Sequence, residues 1–362
     1  MNVDAIVRDL TVSEIQLLEI AKAVSYNSKI VVMDEPTSSL TSTEVKLLFD
    51  TIHRLKEQGV AVIYISHKLD ELFEIADEVC VLRDGNMISS RPIEQVDRQQ
   101  MISEMVGRTL SQMYPTVEKE IGEEILRVEH LERKGVFQDA SFTVHRGEIL
   151  GFAGMVGAGR TELISSIFGL DRYTQGKIWL NGKEITIRSP SDAIHNHFAL
   201  IPEDRARCGL NLKASVKTNV CMAILSKISR HGFSNKRAEE KTADDMIRQV
   251  RIKVTSRNQP VASLSGGNQQ KVVVGKWLLT HPDIVFMDEP TRGIDVGAKY
   301  EIYQLMQSLA KEGKAVVMIS SEMPELLGVC DRILVLKEGR ILGQVQAKET
   351  SQEEIMAMIV ND

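Results

Sequence analysis

One stretch of this chain occurs twice, and that repeat limits the architectures open to it. Val31–Gly85 aligns with Val285–Gly339 without a gap, at an offset of 285 − 31 = 254 residues. Of the 55 aligned positions, 18 are identical. The first copy runs from VVMDEPTSSL to VLRDG and the second from VFMDEPTRGI to VLKEG. The same offset carries Leu10 onto Leu264. Self-similarity at a fixed offset marks a repeated structural module. A length of 362 residues is in keeping with about two domains.

Each copy carries the same alternation. A helical stretch (Glu14–Ala23; Gln269–Leu279) leads into a short apolar strand (Ile30–Met33; Ile284–Met287). An amphipathic helix follows (Thr43–Gln58; Ala298–Glu312), then a second apolar strand (Ala61–Ser66; Ala315–Ser320). Continuous apolar runs in such short strands predict burial on both faces, the mark of a parallel sheet. The β-α-β order puts helices on the faces of that sheet, an α/β fold.

The second copy has more ahead of it. Glu148–Ala153 reads as a strand, Gly154–Gly159 as a glycine-rich loop and Thr161–Phe168 as a helix. The matching loop of the first copy would fall at 154 − 254 = −100, ahead of Met1. The expected organisation is a partial first module at 1–108, a linker at 109–124 marked by Pro115 and Gly122, and a complete module at 125–362.

The chemistry clusters in these modules. Gly154-Met155-Val156-Gly157-Ala158-Gly159-Arg160-Thr161 matches the phosphate-loop pattern G-x-x-x-x-G-K-[ST] at every fixed position except Arg160. Gly154, Gly157 and Gly159 let backbone amides turn toward phosphate oxygens, and the following helix adds its positive end. Thr161 offers a hydroxyl to Mg²⁺. Arg160 keeps the charge of the usual lysine but replaces a compact ammonium with a wide planar fork. A strand ending in Asp-Glu supplies the second half of such a site. Asp34 and Asp288 are candidates for Mg²⁺, and Glu35 and Glu289 for polarising an attacking water. Ser265-Gly266-Gly267, at a helix start, offers a hydroxyl and bare amides to a phosphate.

Other classes are disfavoured. The net charge is −6 and the pI near 5.9, with no basic stripe of the kind a nucleic-acid binder carries. Cys80, Cys208, Cys221 and Cys330 lack metal-ligand or redox spacing and read as reduced thiols. The sequence shows neither a signal peptide nor an apolar run that could span a bilayer. Contact with a membrane would have to come from docking onto a partner.

The motifs LSGGNQQ, DEPT and ISH together resemble those of ATP-binding-cassette proteins. WLLTHPDIVFMDEPTRGIDVGAKYEIYQLM, ISSEMPELL and Ile201–Arg205 (IPEDR) are similar to the two-cassette ATPases of ribose-, xylose- and galactose-type importers, over the whole chain. The resemblance implies P-loop NTPase cassettes with a helical subdomain, one copy complete and one partial, paired head to tail. Each nucleotide would lie between the phosphate loop of one cassette and the Ser-Gly-Gly segment of the other. One site would receive Asp34, Glu35, His67 at the γ-phosphate, and Ser265-Gly266-Gly267. The other would receive Arg160, Glu289, Ser321 in place of the histidine, and the degraded Leu10-Thr11-Val12-Ser13-Glu14. Glu203 stands where cassettes sense Mg²⁺ and the membrane partner. The implied cofactors are ATP and Mg²⁺. The implied partners are integral-membrane sugar permease subunits and, indirectly, a periplasmic or extracellular sugar-binding protein, with the chain peripheral on the cytoplasmic face of the membrane. Two rival readings remain: a non-hydrolysing nucleotide-binding remnant of a truncated gene, and a soluble two-cassette translation factor. The short 109–124 stretch speaks against the second.

Overall fold

A computed structural model describes residues 6–26, 28–37, 40–66, 68–83, 85–106, 113–230 and 233–361. The chain divides into two compact units, Met1–Leu110 and Ser111–Asp362.

In the first unit, strands Ile30–Asp34 and Ala61–Ile65 pair in parallel, Ile30 opposite Ala61 and Asp34 opposite Ile65. The helix between them, Ser42–Glu57, starts on a capping box in which Thr41 and Glu44 exchange hydrogen bonds. Such a box satisfies amides that the first helical turn leaves orphaned. Leu48, Phe49, Ile52 and Leu55 fall on one face of that helix and bury against Val31 and Met33. An antiparallel hairpin, Glu78–Arg83 with Asn86–Pro92, follows.

The expectation of strands buried on both faces fails here. Ile30 and Val32 are each 60 % exposed, and Ile63 and Ile65 are 52 % and 47 % exposed. The helix covers one face of the two-stranded sheet, so alternate side chains of each strand lie open.

In the second unit the same strands are fully buried. A six-stranded sheet runs in the order Phe198–Ile201, Ile284–Asp288, Ala315–Ile319, Ile149–Gly154, Arg332–Lys337, Arg340–Gln346. The first five strands are parallel and the last is antiparallel. Phe286, Val317, Leu150 and Phe152 pack on one face with the helix Arg160–Ile167 and with a four-stranded antiparallel sheet, Glu124–Arg133, Phe137–His145, Gln175–Leu180 and Lys183–Ile185. Val285, Met287, Val316 and Met318 pack on the other, against the helices Gly266–Leu278 and Val296–Lys311. Two layers of cover explain why five consecutive residues of each central strand are buried. The expected helical part is also present, with Val216–Cys221 and Lys236–Gln249 packing on Gly266–Leu278.

Residues 113–124 of the expected linker lie within the second unit. The Tyr114 ring meets Tyr303 with centroids 5.5 Å apart, and Lys119 pairs with Asp331 at 2.6 Å.

Candidate nucleotide site

The phosphate loop joins the strand Ile149–Gly154 to the helix Arg160–Ile167. Gly159 caps that helix at φ 90°, in the left-handed region that side chains rarely adopt. A Cβ there would also meet the Gly339 Cα at 3.2 Å. Glycine is therefore demanded twice. Val156, at the loop tip, is 94 % exposed, so the loop opens to solvent.

Arg160 folds inward. Its guanidinium donates to the Ser320 carbonyl at 2.8 Å and lies 4.0 Å from the Glu289 carboxylate. Burial lowers its pKa, opposed by Glu289 and Asp288. The structure thus brings the variant residue of the loop onto the strand end that carries Glu289.

Asp288 ends the central strand and Glu289 follows it. Asp288 is buried, which pushes its carboxyl up to about 6, against a hydrogen bond from the Thr161 hydroxyl. Its Oδ1 is buried and has no protein hydrogen-bond partner. A buried carboxylate oxygen without a donor is costly unless a cation or donor arrives, so Thr161 and Asp288 fit a Mg²⁺ site. An ion there would take its remaining ligands from phosphate oxygens and water. Glu289 is raised by burial and accepts the Ser321 hydroxyl at 3.2 Å. Its backbone sits at φ 45°, and its amide donates to the Ile319 carbonyl at 3.0 Å.

Ser265 caps the helix Gly266–Leu278 and is exposed. A Cβ at Gly267 would stand 2.3 Å from the Ala298 Cβ, so only glycine fits. The neighbours of Gly266 and Gly267 are Arg205, Gly293 and Ala298, not the phosphate loop. Arg205 donates to the carbonyls of Arg292 and Gly293 at 2.8 and 3.0 Å, and Glu203 pairs with the Arg292 side chain.

In the first unit, Asp34 ends its strand, and Glu35 repeats the left-handed turn at φ 46°, its amide 2.9 Å from the Ile65 carbonyl. His67 lies outside the described residues. Where the second unit has Ser-Gly-Gly, Thr11 and Glu14 form a capping box: the Thr11 amide and hydroxyl each reach the Glu14 carboxylate at 2.9 Å. That helix start already holds an anion of its own.

The residue-by-residue reading missed Glu325 and its counterpart Glu71. Glu325 is 1 % exposed and gathers four side-chain donors behind the Asp288–Thr291 turn. The signal was present, since Thr291, Ser320 and Glu325 are all among the identical positions of the repeat.

A glycine-rich loop on a parallel strand, with an Asp-Glu pair at the end of a nearby one and its Asp buried, defines a P-loop nucleotide-binding cassette. Known proteins agree. Residues 137–292 match the family model described as ABC transporter. A putative ribose/galactose/methyl galactoside import ATP-binding protein of Geobacillus kaustophilus is 49 % identical over 97 % of this chain and 70 % of its own length. The galactose/methyl galactoside import ATP-binding protein MglA of Treponema denticola is 48 % identical over 99 % of this chain and 72 % of its own length. The ribose import ATP-binding protein RbsA of Caldanaerobacter subterraneus is 47 % identical, over 99 % and 73 %. The structure of cbiO1 from Clostridium perfringens superposes with a TM-score of 0.55 at 23 % identity, covering 65 % of this chain and 93 % of that one. The chain belongs to the ATP-binding-cassette family of ABC transporters, as an ATPase related to the ribose and galactose import ATP-binding proteins.

Proposed function

We propose that the chain is the energy-coupling subunit of an importer for a monosaccharide of the ribose or galactose class, sitting on the cytoplasmic face of the membrane against permease subunits. The names of its relatives support the sugar. No helix among the described residues is long and apolar enough to cross a membrane, which fits a subunit that docks. For nucleotide binding, the observation that carries the reading is the Asp288 carboxylate, buried beside Thr161 with one oxygen unpartnered. Gly154–Thr161 would wrap the phosphates, Thr161 and Asp288 would hold Mg²⁺, and Glu289 would orient water. Bound Mg²⁺ would supply charge neutralisation of the phosphates.

We read the chain as two cassettes, a first at 1–108 that carries Asp34, Glu35 and His67, and a complete second at 125–362 that carries Ser265-Gly266-Gly267. In the first unit the counterpart of Ser-Gly-Gly, Thr11-Val12-Ser13-Glu14, carries a capping box that offers a carboxylate where a phosphate needs donors. Arg160 is also spent on Ser320 and Glu289. Binding at the Arg160 site with slow turnover follows.

Titrating a fluorescent ATP analogue in Mg²⁺ against the chain and Thr161→Ala tests the assignment. The variant is expected to bind about tenfold more weakly, the order lost with a hydrogen bond to a charged group. Equal affinities would overturn it.

A further inference from the structure

Glu289 and Glu35 hold a backbone conformation that costs a non-glycine residue about 1–2 kcal/mol. Such strain lasts only where neighbours fix it. Two residues on, each turn is tied down by a buried carboxylate. In the second unit Glu325 accepts the Thr291 hydroxyl at 2.7 and 2.8 Å, Ser320 at 2.9 Å, Tyr303 at 2.7 Å and Lys299 at 3.0 Å. In the first, Glu71 accepts Thr37 at 2.6 Å, Tyr64 at 2.6 Å, Ser66 at 3.1 Å and Lys68 at 3.2 Å.

The two cages hold the same four groups, but two come from different elements. Threonine and serine are identical in the repeat. The tyrosine and lysine are not, because the first unit draws them from its strand Ala61–Ile65 and the residues after it (Tyr64, Lys68), and the second from the helix Val296–Lys311 (Tyr303, Lys299). At the offset of 254, Met318 stands opposite Tyr64 and Glu322 opposite Lys68, while Phe49 stands opposite Tyr303 and Val45 opposite Lys299. Both donors have been exchanged, and the cage has survived. Packing alone does not call for that, since a carboxylate that only filled space would be replaced more cheaply by an apolar residue.

The cage also joins the two segments that, on the nucleotide reading, would face the phosphates. Thr291 follows Asp288 and Glu289 with Pro290 between. Ser320 directly follows the neighbouring strand Ala315–Ile319, its carbonyl takes Arg160, and the next residue, Ser321, bonds Glu289.

We propose that Glu325 is a positioning residue of the nucleotide site, a buried carboxylate that locks the strained Asp288–Thr291 turn onto the end of the adjacent strand so that Asp288 faces the phosphate loop, and that Glu71 plays the same part in the first unit. This rests on the nucleotide reading above. Loss of the lock lets the turn relax and withdraws Asp288, while the loop itself still meets phosphates.

The test measures analogue affinity of the full chain in Mg²⁺ and in EDTA, with thermal midpoints alongside. Glu325→Gln and Thr291→Val are expected to lose about tenfold in Mg²⁺ and nothing in EDTA, while Thr291→Ser keeps both affinities. Tyr303→Phe should lose part of the Mg²⁺-dependent affinity, and Tyr303→Phe with Met318→Tyr should regain it by installing the first unit's solution. Equal losses in both conditions, losses that track the thermal midpoint, or no recovery in the double variant would each overturn the proposal. If Glu325→Gln fails to fold, the Thr291 pair decides. If the unaltered chain binds no analogue in either condition, the nucleotide reading falls and takes this inference with it. Mg²⁺-enhanced binding that the variants leave untouched sinks the inference alone.

Discussion

Lys276 is 7 % exposed, donates to the Gly209 carbonyl at 2.7 Å and lies 5.3 Å from the centroid of the Trp277 ring. Burial pushes its ammonium down to about 8, whereas an unfolded lysine titrates near about 10.4. Between those values the unfolded chain binds more protons than the folded one, so stability rises with pH across the window. Below it the full cost of the buried charge remains. Lys276→Met should flatten that slope, raise the urea midpoint at pH 7 and add about 1–2 kcal/mol to the unfolding free energy there. Urea titrations at pH 7, 8, 9 and 10 check this, and identical slopes for both proteins would show that the ammonium is solvated. Close approach sets a different constraint at Gly267. Gly267→Ala drives a methyl to 2.3 Å from Ala298 and should cost about 1–3 kcal/mol in the same assay.

At the scale of elements, local pattern was a good guide to boundaries. The expected helix Thr43–Gln58 is Ser42–Glu57, and the expected strand Ala315–Ser320 is Ala315–Ile319, because caps and apolar runs are written in neighbouring residues. The loop, Asp288 and Glu289 were legible for the same reason. Burial was not, since VVMD and VFMD read alike and what lies opposite each strand decides their exposure. Nor was the inward turn of Arg160 legible, because its partner Ser320 is 160 residues away. The capping box of the helix Val12–Ser25 was legible as Thr11-x-x-Glu14, though the motif reading passed over it, and it yields a prediction. Thr11→Ala should cost about 1 kcal/mol, seen as an earlier loss of helical circular dichroism in urea. An unchanged midpoint would mean that tertiary packing alone holds that helix.

At the scale of the molecule, the two units differ in how far their sheets are covered. The first unit's sheet is covered on one face and the second unit's on both, so the first should unfold at lower denaturant. The chain has two tryptophans, Trp179 and Trp277, and both lie in the second unit. Circular dichroism should therefore show an early urea transition to which tryptophan fluorescence is blind, followed by a later one seen by both. A single transition coincident in both signals would mean that the units unfold together.

The crossed origin of the tyrosines and lysines around Glu71 and Glu325 bears on how such a gene can be rebuilt. A chimaera that moves the helix Ser42–Glu57 into the second unit brings Phe49 and Val45 to face Met318 and Glu322, and its carboxylate keeps only threonine and serine. The reciprocal chimaera crowds two tyrosines and two lysines around Glu71. Helix and strand must be exchanged together or not at all. The two copies are free to drift apart, but recombination cannot shuffle them piece by piece.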